Sequence, residues 1–362
     1  MFPPSINVKE ASEVRKNITK DMVKRIGVLS PMRIRIRNYL VDTPITAFNP
    51  AMYIKDPYIY VFPRAILGYF MYVSGILRLE IPIDDLFEGI LTYADYGADI
   101  VIYPTTRYDL WGTEDPRITK IEGRVYMTYV GRGINYFNPS VRYERTLPIV
   151  AETIDKRLSQ WIKRAVLVLE NRFRRSLVSD KDAFVVETST DDLLVFHRPH
   201  MMDENYYLTI SRINKNELLE IKNPSEIREI EVKDTKVILE PAPFEKKLGW
   251  AAPPIEIERD TFLTIIHGID KEIEAYKVFA AIIKYEKEVG PYIKALTPYY
   301  IMEPKLLYEV FGDRPYVAFP CGMSLIDDDR ILISYGAADY TIAFGELSLD
   351  AILSELDKYE IK

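Results

Sequence analysis

The stretch GTEDPRITKIEGRVYMTYVG, Gly112 to Gly131, reads as a β-hairpin. An acidic pair and a proline (Glu114, Asp115, Pro116) lead into a short alternating strand, Glu122-Gly123 supplies the turn, and Val125 to Val130 alternates again. Proline fixes φ and removes a donor, so it suits the first position of a strand or a bulge. The hairpin therefore carries a carboxylate held in one direction at its entrance.

The same layout recurs along the chain. Phe48-Asn49-Pro50 enters a hairpin that ends near Arg64, and Lys181-Asp182-Ala183 enters one that ends at His197-Arg198-Pro199. Ala252-Pro253-Pro254 leads to His267-Gly268, and Phe319-Pro320-Cys321 leads to Tyr335-Gly336. Asn49, Asp115, Asp182, Ala252 and Pro320 are spaced by roughly 66 to 70 residues, the fixed period of a propeller or array. Strand-like runs at Gly68 to Ile81, Tyr206 to Ile213, Tyr276 to Ile283 and Tyr340 to Leu347 fill out four strands per unit. A sandwich with similar hairpins is the rival, but the residue classes at entrance and exit repeat together with the spacing.

The expected fold is all-β: a five-bladed β-propeller over residues 41–362, preceded by an N-terminal helical arm within residues 1–40. Val14, Ile18, Met22, Val23 and Ile26 fall at helical spacing, so Val8 to Val28 reads as an amphipathic helix. It either folds over the propeller edge or serves as a dimer contact in a homo-oligomer. Met32 to Leu40 alternates like a strand and is expected to join the last blade, which would hide the edge between first and last. Short helical connectors are expected at Pro82 to Leu86, Thr153 to Trp161 and Leu349 to Leu353.

The 47 basic and 54 acidic residues are interspersed and leave a net charge of -7, which argues against nucleic acid as a partner. No apolar run reaches membrane-span length and the start lacks signal-peptide order, so the reading is no membrane and a cytoplasmic location. Cys321 is the lone cysteine and there are three histidines, so neither an internal disulfide nor a metal cluster is expected. One glutamine, Gln160, in a chain rich in Lys, Glu, Ile and Tyr points to a thermophile.

In a propeller the innermost strands line the channel, so residues far apart in sequence converge there. The entrances gather Asn49, Asp115, Lys181, Asp182, Lys247 and Cys321, and the exits add Arg64, Arg198, His267 and Asp339. Grouped cations repel one another unless an anion sits between them, so the set suits a neutral polyol beside an oxyanion.

These motifs together resemble glycoside hydrolase family 130. The resemblance rests on Glu114-Asp115-Pro116-Arg117, Phe48-Asn49-Pro50-Ala51, Lys181-Asp182-Ala183 with His197-Arg198-Pro199, Lys247-Leu248-Gly249 with His267-Gly268, and Phe319-Pro320-Cys321-Gly322 with Tyr335-Gly336-Ala337-Ala338-Asp339. It runs from about Ala47 to Leu349. Such a resemblance implies a five-bladed propeller that is an inverting β-mannoside phosphorylase or a β-mannosidase. It implies Asp115 as general acid, acting through a hydroxyl of the bound mannose. Asn49, Asp339, Glu309 and Arg117 would bind sugar, and Arg64, Arg198, Lys247, His267, Tyr276 and Lys181 would bind phosphate. The implied partners are a β-mannoside oligosaccharide and inorganic phosphate, with no metal and no other cofactor.

An inverting hydrolase needs a second carboxylate roughly 6.5 to 9.5 Å from the acid. A phosphorylase needs only donors that hold phosphate in line with the anomeric carbon. Matching cations without a clear base favour phosphorolysis over the alternatives, a β-mannosidase or a non-catalytic glycan-binding propeller. Glu187, Glu256 or Glu258 would supply a base by turning inward, and Trp250 is expected to narrow the site.

Overall fold

The computed structural model describes residues 2–221 and 227–361. Five mostly antiparallel sheets are arranged as the blades of a propeller. Blade one runs Thr46–Lys55, Tyr58–Ile66, Ser74–Pro82 and Tyr96–Ile102; blade two runs Thr113–Ile121, Arg124–Arg132, Thr146–Thr153 and Trp161–Val168. Blade three is Leu177–Glu187, Asp192–Met201, Leu208–Asn214 and Lys233–Leu239. Blade four is Glu245–Trp250 with Ile255–Glu258, then Thr261–Asp270, Tyr276–Glu286 and Gly290–Leu296. Blade five is Ala318–Leu325, Arg330–Ala337 and Thr341–Ser348, completed by Lys24–Leu29.

The hairpin at Thr113–Arg132 turns where expected. Glu122 (φ 47°) and Gly123 (φ 74°) both take left-handed backbone, the conformation that suits the twist of a two-residue hairpin turn.

The repeated entrance motif has a common structural cause. In blades one, two and three the pairing register of the inner strand shifts at Phe48/Ala51, Glu114/Arg117 and Lys181/Phe184. Each bulge holds an Asn or Asp with positive φ: Asn49 at 49°, Asp115 at 48° and Asp182 at 54°. Asn and Asp tolerate this region better than other non-glycine residues. The proline after Asn49 and Asp115 has no N–H for the ladder to miss. Blade five shifts register at Pro320/Gly322, and blade four interrupts its inner strand between Trp250 and Ile255.

The N-terminal segment departs from the sequence reading. Its α-helix covers only Val8–Glu13, burying Val8 and Ala11. Beyond it the chain is an extended strap, with Lys16, Lys20 and Met22 amides donating to the carbonyls of Pro298, Tyr300 and Ile301 at 2.7, 2.8 and 2.9 Å. Backbone groups left open beside blade four outcompete a local helix, which an isolated amphipathic pattern cannot anticipate. Ring closure falls to Lys24–Leu29, all but its last residue within the stretch read as helix, which pairs with Thr341–Ser348. The strand expected to do this, Ile34–Ile36, instead lies parallel to Tyr96–Ile102 on the outside of blade one. Residues 2–36 thus run along the outer edges of blades three, four, five and one, while Arg228–Glu231 covers blade two. Such cover leaves few strand edges open for pairing with another chain.

Helical connectors form at Ile83–Phe87 and Leu349–Leu356. The third is a turn: Asp155 Oδ1 accepts from the amides of Ser159 (2.9 Å) and Gln160 (2.8 Å), a local arrangement that competes with helix. Among the described residues no helix is long and apolar enough to cross a membrane.

Arg15 anchors the strap. Its side chain and that of Glu245 are fully buried and 2.9 Å apart, and its guanidinium lies 3.4 Å from the Phe279 ring centroid. Arg15→Met leaves Glu245 buried with Tyr300 and the Ala242 amide as partners. We expect a loss of about 3 to 5 kcal/mol in a urea melt, with partial recovery when Glu245→Gln is added.

Candidate active site

The bulges of blades one to three open into a cavity of about 310 Å³ at one mouth of the channel. Asn49, Arg64, Asp115, Lys181, Asp182, Arg198, Lys247, His267, Tyr276 and Asp339 all line it, and so do Tyr206, Arg314 and Phe319. Of the eleven positions that the resemblance assigns as catalytic, phosphate-binding or sugar-binding, nine line the cavity, with Asp182 beside them.

The acid side comes from blades five, one and two. Asp115 Oδ1 accepts from Asn49 Nδ2 at 2.8 Å and lies 3.5 Å from Arg64 Nη1, leaving Oδ2 as the oxygen available to a ligand. Gly336 makes this approach feasible, since a Cβ there would overlap the Asn49 amide. Asp339, with φ 50°, completes the side. Burial, reinforced by the charge of Asp115, raises its carboxyl to about 6 even though Arg64 acts in the opposite direction.

Glu114, beside the acid, is fully buried and is the centre of an ion cluster. It pairs with Arg64 Nη2 at 2.8 Å, Lys181 Nζ at 2.7 Å and the Arg132 guanidinium. Burial opposes its charge, but the three cations outweigh burial and hold it well below the usual carboxylate range. Arg64 and Lys181 are therefore neutralised within the protein, a feature that their positions in sequence do not reveal.

The remaining cations form the opposite side, from blades three and four with Arg314 from the following loop. Arg198 Nε lies 2.7 Å from Asp182, and Arg198 and Lys247 sit 5.3 and 4.5 Å from the Tyr206 ring centroid. Lys247 has no carboxylate partner among the described residues; burial first, then Arg198, push its ammonium down to about 7. Burial likewise pushes His267 down to about 3, so it is a neutral imidazole at physiological pH and not the cation that the sequence suggested. Tyr276, raised by burial to about 12, accepts a 2.8 Å hydrogen bond from Arg314 Nη1. Gly249 lets Asp182 and His267 approach, since a Cβ would meet both.

Among the described residues, four buried polar atoms around this cavity lack both a hydrogen-bond and an ion-pair partner: His267 Nδ1, Arg198 Nη1, Arg64 Nε and Asn49 Oδ1. Buried polar groups are normally satisfied, so the pattern fits a site that awaits a polar ligand.

Two assignments made from the resemblance require correction. Glu309 is fully buried outside the cavity lining. Its Oε1 accepts from Arg25 Nε (3.0 Å) and Tyr335 (2.7 Å), and its Oε2 from the amides of Lys305 and Leu306 (2.8 and 3.0 Å). It fastens the ring-closing strand and has no oxygen to spare for sugar. Arg117 is also fully buried and lies outside the lining; its guanidinium donates to the carbonyls of Ala251 (2.8 Å), Asp115 (2.5 Å) and Trp250 (3.4 Å), tying blade two to blade four. Trp250 does not narrow the site: it is buried against Phe196 and donates to Thr209 O at 2.9 Å.

Glu187 pairs with Lys215 at 2.9 Å and Glu256 caps the Asp260 amide at 3.0 Å; neither these nor Glu258 lines the cavity. Cys321, at the blade-five bulge, is buried and its thiol is pushed up by burial, again outside the lining. Sequence reasoning passed over Glu114, Arg314, Tyr206 and Phe319. Glu114 and Phe319 stand within quoted motifs, so adjacency was the available signal; nothing local marks Arg314 or Tyr206.

Fold and cavity define the class: a five-bladed propeller whose channel mouth sets a hydrogen-bonded carboxylate against a cationic, polar wall. The chain belongs to the glycoside hydrolase 130 family, whose model, described as beta-1,4-mannooligosaccharide phosphorylase, matches residues 13–358. It is 29% identical over 250 residues to a 1,2-beta-oligomannan phosphorylase of Thermoanaerobacter sp. (strain X514), covering 68% of this chain and 72% of the relative. A beta-1,2-mannobiose phosphorylase of the same organism is 28% identical over 247 residues, covering 67% and 69%. The structure of beta-1,2-mannobiose phosphorylase from Listeria innocua with beta-1,2-mannobiose superposes with a TM-score of 0.70 at 16% identity, over 93% of this chain and 99% of that one, a likeness of fold.

Lys247 yields a test. An anion binds the charged ammonium, so above about pH 7 binding must be accompanied by proton uptake and weakens. Sulfate keeps its charge between about pH 6 and 9, so as a competitor of phosphate it isolates the protein's titration. We expect its inhibition constant to rise up to about tenfold per pH unit above the lysine's ionisation, and Lys247→Met to flatten that slope. A flat wild-type profile would remove Lys247 from the anion site.

Proposed function

We propose that this chain cleaves β-mannosides by phosphorolysis with inversion, releasing α-mannose 1-phosphate and a shortened acceptor. The observation that carries the reading is the wall opposite Asp115: Arg198, Lys247, His267, Tyr276 and Arg314 offer cations and donors, and the carboxylate among them, Asp182, is paired with Arg198. Family membership and the phosphorylase relatives support the same reaction.

The terminal mannose rests against Asn49, Asp115 and Asp339, with phosphate between the sugar and the cationic wall. A phosphate oxygen forms a bond to the anomeric carbon as the glycosidic C–O bond breaks. The departing oxygen takes a proton that originates on Asp115, relayed through a sugar hydroxyl. Hydrogen phosphate supplies the proton that restores the acid, so the balance closes without a metal or further cofactor. Fixed donors aimed at the incoming anion stabilise its charge without reorganising during the reaction.

The lone cysteine, which leaves no internal disulfide, fits a cytoplasmic location, and the scarcity of glutamine supports a heat-adapted source. The arm's helix buries Val8 and Ala11 within its own chain, so a homo-oligomer contact through the arm would use its exposed face.

Incubation with β-1,2- and β-1,4-mannosides, with and without phosphate, tests the reading. Mannose 1-phosphate formed only with phosphate is expected; free mannose formed without it would establish the hydrolase instead. Asp115→Asn is expected to lower kcat by at least about 100-fold with little change in melting temperature.

A further inference from the structure

Inversion in a single displacement places nucleophile and leaving group on opposite faces of the anomeric carbon. With phosphate against blades three and four, the acceptor must depart toward blades one and two. That side is the Glu114 cluster, whose cations are already paired. It therefore suits a neutral polyol.

A row of aromatic rings continues outward from this cluster. The Arg132 guanidinium lies 4.6 Å from the Tyr136 ring centroid, and the Tyr136 side chain lies within electrostatic range of Arg64 and Lys181. Tyr136 meets Phe137 at 4.8 Å and 90°, and Phe137 meets Trp111 at 5.2 Å and 87°. The row is rigidly held. Arg145 Nη2 donates to Tyr136 O at 2.6 Å, the Tyr136 amide donates to Gly133 O at 3.0 Å, and the Trp111 amide donates to Arg132 O at 2.9 Å. Phe137 nevertheless stays 37% exposed. An aromatic face carries partial negative charge and attracts the C–H face of a pyranose, so a fixed, half-exposed row that starts at Arg132, the partner of Glu114 beside the cavity, is a stacking surface.

We infer that Tyr136, Phe137 and Trp111 form the acceptor side of the substrate site, Tyr136 flanking the first leaving sugar and Phe137 with Trp111 taking the next. This rests on the phosphorolysis reading and deepens it: the substrate class is β-mannooligosaccharides of three or more units, processed from one end, in preference to a disaccharide.

The test is the ratio of kcat/KM for mannotriose over mannobiose, with phosphate, in each linkage series. Wild type is expected to favour the trisaccharide, and Phe137→Ala and Trp111→Ala each to lower the ratio by about tenfold, with Phe137→Tyr retaining it. Unchanged melting temperatures exclude a folding cause. A ratio unaffected by both alanine variants overturns the inference while leaving phosphorolysis in place. If no mannoside is turned over with phosphate, the functional reading fails separately, and calorimetric titration of mannotriose into wild type and Phe137→Ala still decides the ridge: equal affinities overturn it.

Discussion

An inner strand that ran straight through the channel mouth would present successive side chains to opposite faces of its sheet, and no residue could be held into the channel without spending a core position. The bulges at Asn49, Asp115 and Asp182 solve this by breaking the ladder for two residues and turning the backbone left-handed. Left-handed backbone disfavours most side chains, and Asn and Asp tolerate it best. The same backbone requirement that shapes the channel mouth thus selects the residue types able to hold a sugar or deliver a proton.

Charge is then divided by one buried carboxylate. Glu114 gathers Arg64, Arg132 and Lys181, which would otherwise repel one another in a poorly solvated interior. Without it Arg64 and Lys181 would add unpaired positive charge to the cavity and an anion could settle in several places. With it, one side is electrically quiet around Asp115 and the other keeps Lys247, Arg314 and the unpartnered Nη1 of Arg198 for an anion. The directionality of the proposed reaction follows from this division. Neutral His267 adds to the anion side as a donor, its charge suppressed by burial.

The N-terminal segment illustrates the reach of tertiary context. Val14 to Ile26 has helical spacing, yet most of it is strap and strand. Its helical hydrogen bonds would have been worth little more than those it makes to residues 298–301 and 341–348, and only the latter also cover exposed edges and bury Arg15 with Glu245. The pattern was amphipathic because the strap has a buried and an exposed side, which a helix and a strap can share over short lengths.

Taken alone, the amino-acid order determined the five-unit period, the hairpins and the convergence of Asn49, Asp115, Arg198, Lys247, His267 and Asp339, because turn chemistry and bulge residues act over a few neighbours and repeat at regular intervals. Tertiary structure decided which charges are free. Glu309 meets Arg25 from 284 positions away, and Arg117 meets the Ala251 carbonyl from 134 positions away. Whether a charged side chain serves a ligand or the fold depends on partners that only three-dimensional packing brings within hydrogen-bonding distance.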